Sequence, residues 1–76
     1  MATYTVRVER WKDEERVWRI ETPDTQISSD LDADDVAAET ALLQTVADGN
    51  RWRVQVWDGE FAAGEPAAEQ DARRDP

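Results

Sequence analysis

The chain has 76 residues, with 18 Asp and Glu against 9 Lys and Arg, for a formal net charge of −9. It has no Cys and no His. Disulfides, thiolate zinc sites, a Cys nucleophile and an imidazole base are therefore excluded. The length suits one domain, and a core this small must rest on aliphatic and aromatic burial, for which four Trp are suited. Net negative charge opposes general affinity for nucleic acid. No apolar run approaches a membrane span and no signal peptide opens the chain, so a cytoplasmic protein is expected.

The charge is unevenly spread. Residues 1–22 carry five basic and five acidic groups, residues 23–50 carry seven acids and no base, and residues 51–76 carry four Arg and six acids.

Residues 3–11 alternate apolar with polar, which predicts a half-buried strand with Tyr4, Val6 and Val8 on its covered face. Lys12 to Glu15 form a charged tip. Residues 16–22 read as the return strand of a hairpin, with Trp18 and Ile20 inward and Pro23 as its end. A short third strand is expected around Ile27. Asp32 is a good N-cap, Asp34 and Asp35 suit the first turn of a helix, and Leu31 with Val36 matches a hydrophobic staple. The helix is expected to run to about Asp48, with Gly49 as its stop and with Val36, Leu42, Leu43, Val46 and Ala47 as its apolar stripe. Glu39 falls within that stripe, a local conflict. Residues 51–57 alternate again, with Trp52, Val54 and Val56 on one face.

Together these elements predict one α+β domain over residues 1–60. It is a two-layer sandwich of order β-β-β-α-β, with one helix packed on one face of a mainly antiparallel sheet. The last strand is expected parallel to the first, and the first and third strands are candidate edges. Residues 61–76 are rich in Ala, Gly, Pro and charge and read as a disordered acidic tail.

That arrangement leaves Arg7, Arg53, Trp11, Val17 and Trp57 on the uncovered sheet face, with the last three at one end. An exposed Trp cluster ringed by Arg is a candidate interface, a homodimer being its simplest form. The competing reading is that the tail, or a different register, covers these rings. The acids around Asp34 and Asp35 read either as capping and a solvated helix face or as a docking surface for a basic partner. Asp30, Asp32 and Asp34 lack the Gly and terminal Glu of a calcium loop. Ser28 and Ser29 have no His to activate them and there is no Gly-rich phosphate loop, so no enzyme, metal or cofactor is expected. Direct nucleic-acid binding would have to use sheet arginines beside Trp platforms, where ion-paired, sheet-stabilising Arg is the commoner role.

The run Tyr4-Thr5-Val6-Arg7-Val8-Glu9-Arg10, then Val17-Trp18-Arg19-Ile20 ending at Pro23, resembles the opening of HicB-type antitoxins. Thr25-Gln26 followed by an acidic helix start at Leu31-Asp32 is similar to that family's next step. The resemblance covers about residues 3–50. The family's Pro-to-Gly loop is abbreviated here to Pro23-Asp24-Thr25, and there is no room for a C-terminal DNA-binding domain. The resemblance implies a degenerate RNase H-like fold and a homo-oligomer that masks a small basic RNA-cleaving toxin. The expected function is thus an acidic protein-binding domain masking a basic nucleic-acid-processing partner. The alternative is a phage- or plasmid-type inhibitor whose acids mimic nucleic acid, and third in order is an enzyme with a pocket of carboxylates of raised pKa, or an RNA-binding sheet.

Overall fold

The computed structural model of the chain describes residues 1–47 and 51–72. The chain is an α+β fold with strands β1 (Ala2–Lys12) and β2 (Val17–Ser29), helix α1 (Ala33–Ala47), then strands β3 (Trp52–Asp58) and β4 (Ala68–Ala72). The four strands form one sheet in the order β2-β1-β3-β4, with every neighbouring pair antiparallel.

Alternation along β1 and β3 sorts their side chains as expected. Tyr4, Val6, Val8, Trp52, Val54 and Val56 are buried under the helix. Residues across the β1–β3 ladder pair in kind, Val6 with Val56 and Val8 with Val54, so one apolar face is continuous. Tyr4 anchors the helix entry by donating its hydroxyl to the Leu31 carbonyl at 2.7 Å.

The strand order differs from β-β-β-α-β. The chain does not break at Pro23. β2 runs through it, and the residues around Ile27 are the far end of that strand, not a third one. Proline cannot donate to a ladder, but β2 is an edge strand with one side unpaired, where Pro is tolerated. Irregular pairing of β2 with Val6, Val8 and Glu9 absorbs the local mismatch. One reversal fewer before the helix inverts the direction of β3, which lies antiparallel to β1 and not parallel to it. β1 is interior, and β2 and β4 are the edges.

The hairpin also places Trp18 differently. Lys12 pairs with Val17 across a loop of residues 13–16, where Arg16 takes φ 55° and its N–H bonds to the Lys12 carbonyl at 2.7 Å. That closure sets Trp18 opposite Trp11, on the face away from the helix, and leaves Ile20 exposed. A shift of one residue in hairpin register moves every side chain to the opposite face.

Asp32 caps α1 as expected, its carboxylate accepting from the Asp35 N–H at 2.9 Å and its carbonyl from the Val36 N–H at 3.0 Å. The buried stripe is different, however. Val36, Ala37 and Ala41 face the sheet, whereas Leu42 and Leu43 are 63% and 62% exposed. The helix lies chiefly over β3 and β4, where an Ala methyl allows close approach to Val54 and Val56, both fully buried. Leu at those positions would hold the layers apart. Glu39 is accordingly exposed, which resolves the conflict in the expected stripe. The side chains of Val46 and Ala47, and the expected stop at Gly49, lie outside the described residues.

Residues 61–72 are not a disordered tail. The Trp57 indole N–H donates to the Gly64 carbonyl at 3.1 Å, the Ala67 N–H to the Val56 carbonyl at 2.8 Å, and β4 then pairs along β3 with Ala68 buried. The buried Ala68 and a backbone ladder join it to the sheet. Residues 73–76 lie outside the described residues.

Candidate functional site

The expected patch of Trp11, Val17 and Trp57 does not exist. Antiparallel pairing puts Trp57 opposite Thr5, six positions along β1 from Trp11, roughly 20 Å at strand rise. Trp57 is 5% exposed, closed in by residues 59–64 and by the Arg7 guanidinium 5.0 Å from its ring centre. Folded-back chain covers this ring. Val17 sits at the hairpin end opposite Lys12.

What the outer face holds is a ladder of carboxylate, guanidinium and indole. Arg7 makes paired bonds to Asp24 at 2.8 and 2.9 Å and lies over Trp57. Arg53 makes paired bonds to Glu9 at 2.9 and 3.0 Å and lies 4.5 Å from the Trp18 ring centre. Arg51 grips Asp71 at 3.1 and 2.6 Å and reaches both Trp11 and Trp18, whose rings meet edge to face at 5.3 Å. Paired Arg–carboxylate geometry adds directionality to attraction, and a guanidinium on an indole gains a cation–π contribution. The hydrogen bonds from Arg7, with its charge, hold the Asp24 carboxyl below the usual carboxylate range. Bonding to Asp24 and to Asp71 raises Arg7 and Arg51 above the usual arginine value. Each cation of this ladder is thus matched to an acid within the fold, and the face is closed rather than poised for an anion.

Three exposed leucines, Leu31, Leu42 and Leu43, lie on the helix side. Because α1 sits over β3 and β4, it leaves a groove of about 170 Å³ towards β2, lined by Ile27, Ser28, Ser29, Leu31, Val36, Glu39, Thr40 and Leu43. Leu31 is 40% exposed, and Leu42 lies one step around the helix from Leu43. Asp34 and Asp35 occupy the exposed first turn, and Glu39 stands between them and the leucines. The structure therefore places Asp34 and Asp35 on the same helix as Leu42 and Leu43, and separates both from Trp11, Trp57, Arg7 and Arg53. The sequence does not mark Leu31, Leu42 and Leu43 as exposed, or Ile27 as groove lining. The signal for the leucines is the acid Glu39 inside the expected apolar stripe.

Among the described residues no group of acids is arranged to hold a metal ion, and no helix is long and apolar enough to cross a membrane. Compared with known protein families, curated proteins and solved structures, the chain matches none.

Proposed function

We propose that this chain is a small protein-binding domain that docks a basic partner on the groove and the acid-and-leucine surface of α1, masking a nucleic-acid-processing protein in the manner of an antitoxin. The observation that carries this is the exposure of Leu42 and Leu43 beside the groove, in a segment with seven acids and no base over residues 23–50. Contiguous apolar surface rimmed by charge marks interaction sites, and charge of one sign selects and steers a partner of the other. The groove is smaller than the range of about 300–1,000 Å³ usual for small-molecule sites, and suits inserted side chains better than a cofactor. Resemblance to HicB-type antitoxins at residues 3–50 supports the same class of partner.

The test is affinity capture from host lysate with mass spectrometry, using the tagged chain, Leu42→Ala/Leu43→Ala, Asp34→Asn/Asp35→Asn and Trp11→Ala. A small basic protein retained by the parent and by Trp11→Ala, and lost with the leucines, is the expected result. Its nuclease activity should fall when the parent chain is added. Loss in the Asp variant with no loss in the Leu variant points to nucleic-acid mimicry. Retention through both sinks the assignment of this surface.

A further inference from the structure

A strand at the edge of a sheet presents unpaired N–H and C=O groups, and proteins usually guard such edges with charge, proline or irregular pairing. The two edges here are guarded unequally. β4 carries Glu69 and Asp71. The first half of β2 carries Arg19 and Glu21, ends at Pro23, and pairs irregularly with β1. The second half of β2, Thr25-Gln26-Ile27-Ser28-Ser29, has no charge and no proline, and pairs in unbroken register with Ala2 to Val6 on its inner side only.

Both faces beside this open stretch hold unburied apolar groups. On the helix side are Ile27, Leu31 and Leu43 of the groove. On the other side the Gln26 amide donates to the Glu60 carbonyl at 3.1 Å, which brings in the next residue, Phe61, at 75% exposure. We infer that β2 at residues 25–29 takes up an extended segment of the partner as an added strand, one set of its alternate side chains being apolar and seated in the groove, the other basic. This rests on the partner-binding reading above and names how that partner is held. Main-chain bonds to an edge supply affinity in such an arrangement, and alternate side chains supply specificity.

Charge selects the occupant. A second copy added antiparallel about Ile27 would set Asp24 of one chain, bound to Arg7, opposite Asp30 of the other, paired with the Met1 ammonium, at both ends of the stretch, between molecules of net charge −9. Like charges directly opposite across a ladder are destabilising. A basic strand places cations there instead, near Asp30, whose side chain is 81% exposed.

The probe is a capped peptide of alternating lysine and valine, about nine residues long to span a strand of ordinary length. It is compared with a scrambled isomer and with two forms N-methylated at one or the other alternate set of residues. Binding is followed by calorimetry at low and moderate salt, and by amide exchange of the full chain. The alternating peptide should bind at least about tenfold more tightly than its isomer, a difference of about 1.4 kcal/mol. N-methylation of one set should abolish that difference and the other leave it intact, and amides within 25–29 should gain protection. Equal binding of the isomer, insensitive to methylation, overturns strand addition and leaves the basic-partner reading standing. Failure of every peptide to bind at low salt overturns both. Dimeric sedimentation of the chain alone, with 25–29 already protected, gives the edge to a second copy and overturns the proposal.

Discussion

Replacing Leu42 and Leu43 together by Ala separates the two placements of α1 cleanly. If these leucines were core, each truncation would cost about 2–5 kcal/mol, and the pair would approach the whole stability of about 5–15 kcal/mol typical of a domain. In the fold they are 63% and 62% exposed, so a little over a third of each is covered. Full burial of a Leu side chain is worth about 1.5–3 kcal/mol, which puts each truncation at roughly 0.5–1 kcal/mol. Ala is as good a helix former as Leu, so the backbone contributes almost no penalty. The double variant should lose about 1–2 kcal/mol, with a melting temperature lower by roughly 5–15 °C for a domain of this size. Thermal and urea unfolding by circular dichroism measures this directly. A loss above about 4 kcal/mol, or no cooperative transition, would mean that the leucines are core. The docking surface would then be gone. Ala41→Leu is the converse control, since overpacking this buried site should cost about 1–3 kcal/mol.

Deleting residues 65–76 removes the strand beside Val54 and Val56 and the Asp71 partner of Arg51, so the truncated chain should show no cooperative melt, and an unchanged transition would return this segment to the status of a tail. Arg53→Ala takes both donors from Glu9, which is only 8% exposed, and should cost about 2–3 kcal/mol by urea unfolding; the double change Glu9→Val with Arg53→Val should recover at least half. Asp24 has a depressed folded pKa, so its stabilising effect is present above the unfolded value of about 3.9 and is lost as pH falls through the folded value. Since this pair is partly exposed, Asp24→Asn should cost less than about 1 kcal/mol at neutral pH and should flatten the acid limb of the stability profile, as followed by urea midpoints across pH.

The sequence was legible where one local rule acted alone. Strict alternation set the faces of β1 and β3, because a period of two admits only one choice once Val54 and Val56 are inside. Asp32 was legible as a cap because its bonds are made within one turn. The failures came where a distant neighbour decided. Pro23 ends a central strand but not an edge, and whether β2 is an edge depends on where β3 pairs. The orientation of Trp18 follows from the closure of the 13–16 loop, which alternation within residues 16–22 does not encode. On α1 periodicity alone assigns the bulkiest apolar residues to the core, but a sheet face already filled by Val and Trp requires Ala at the contact. β4 has almost no apolar signal because it contributes chiefly a backbone ladder, with the small Ala68 buried. The paired Arg and Glu of the outer face were legible as cross-strand ion pairs, though which acid meets which Arg depended on register.

These displacements bear on where binding can occur. The Trp and Arg residues, by composition the usual constituents of a binding hot spot, are used here to close the sheet face that no helix covers. A guanidinium held by two bonds to a carboxylate and laid on an indole would have to give up one partner to meet another, and its former partner would be left as an uncompensated charge. Leu43, Leu31 and Ile27 surrender only hydration when covered, which favours association. Val54, Val56, Ala37 and Ala41 do not line the groove, which meets the core at Val36 and Ile27. On the proposed reading, a partner meeting the groove and the 25–29 edge gains apolar and main-chain contacts from the helix side of the sheet, with the ion-pair ladder on the other face.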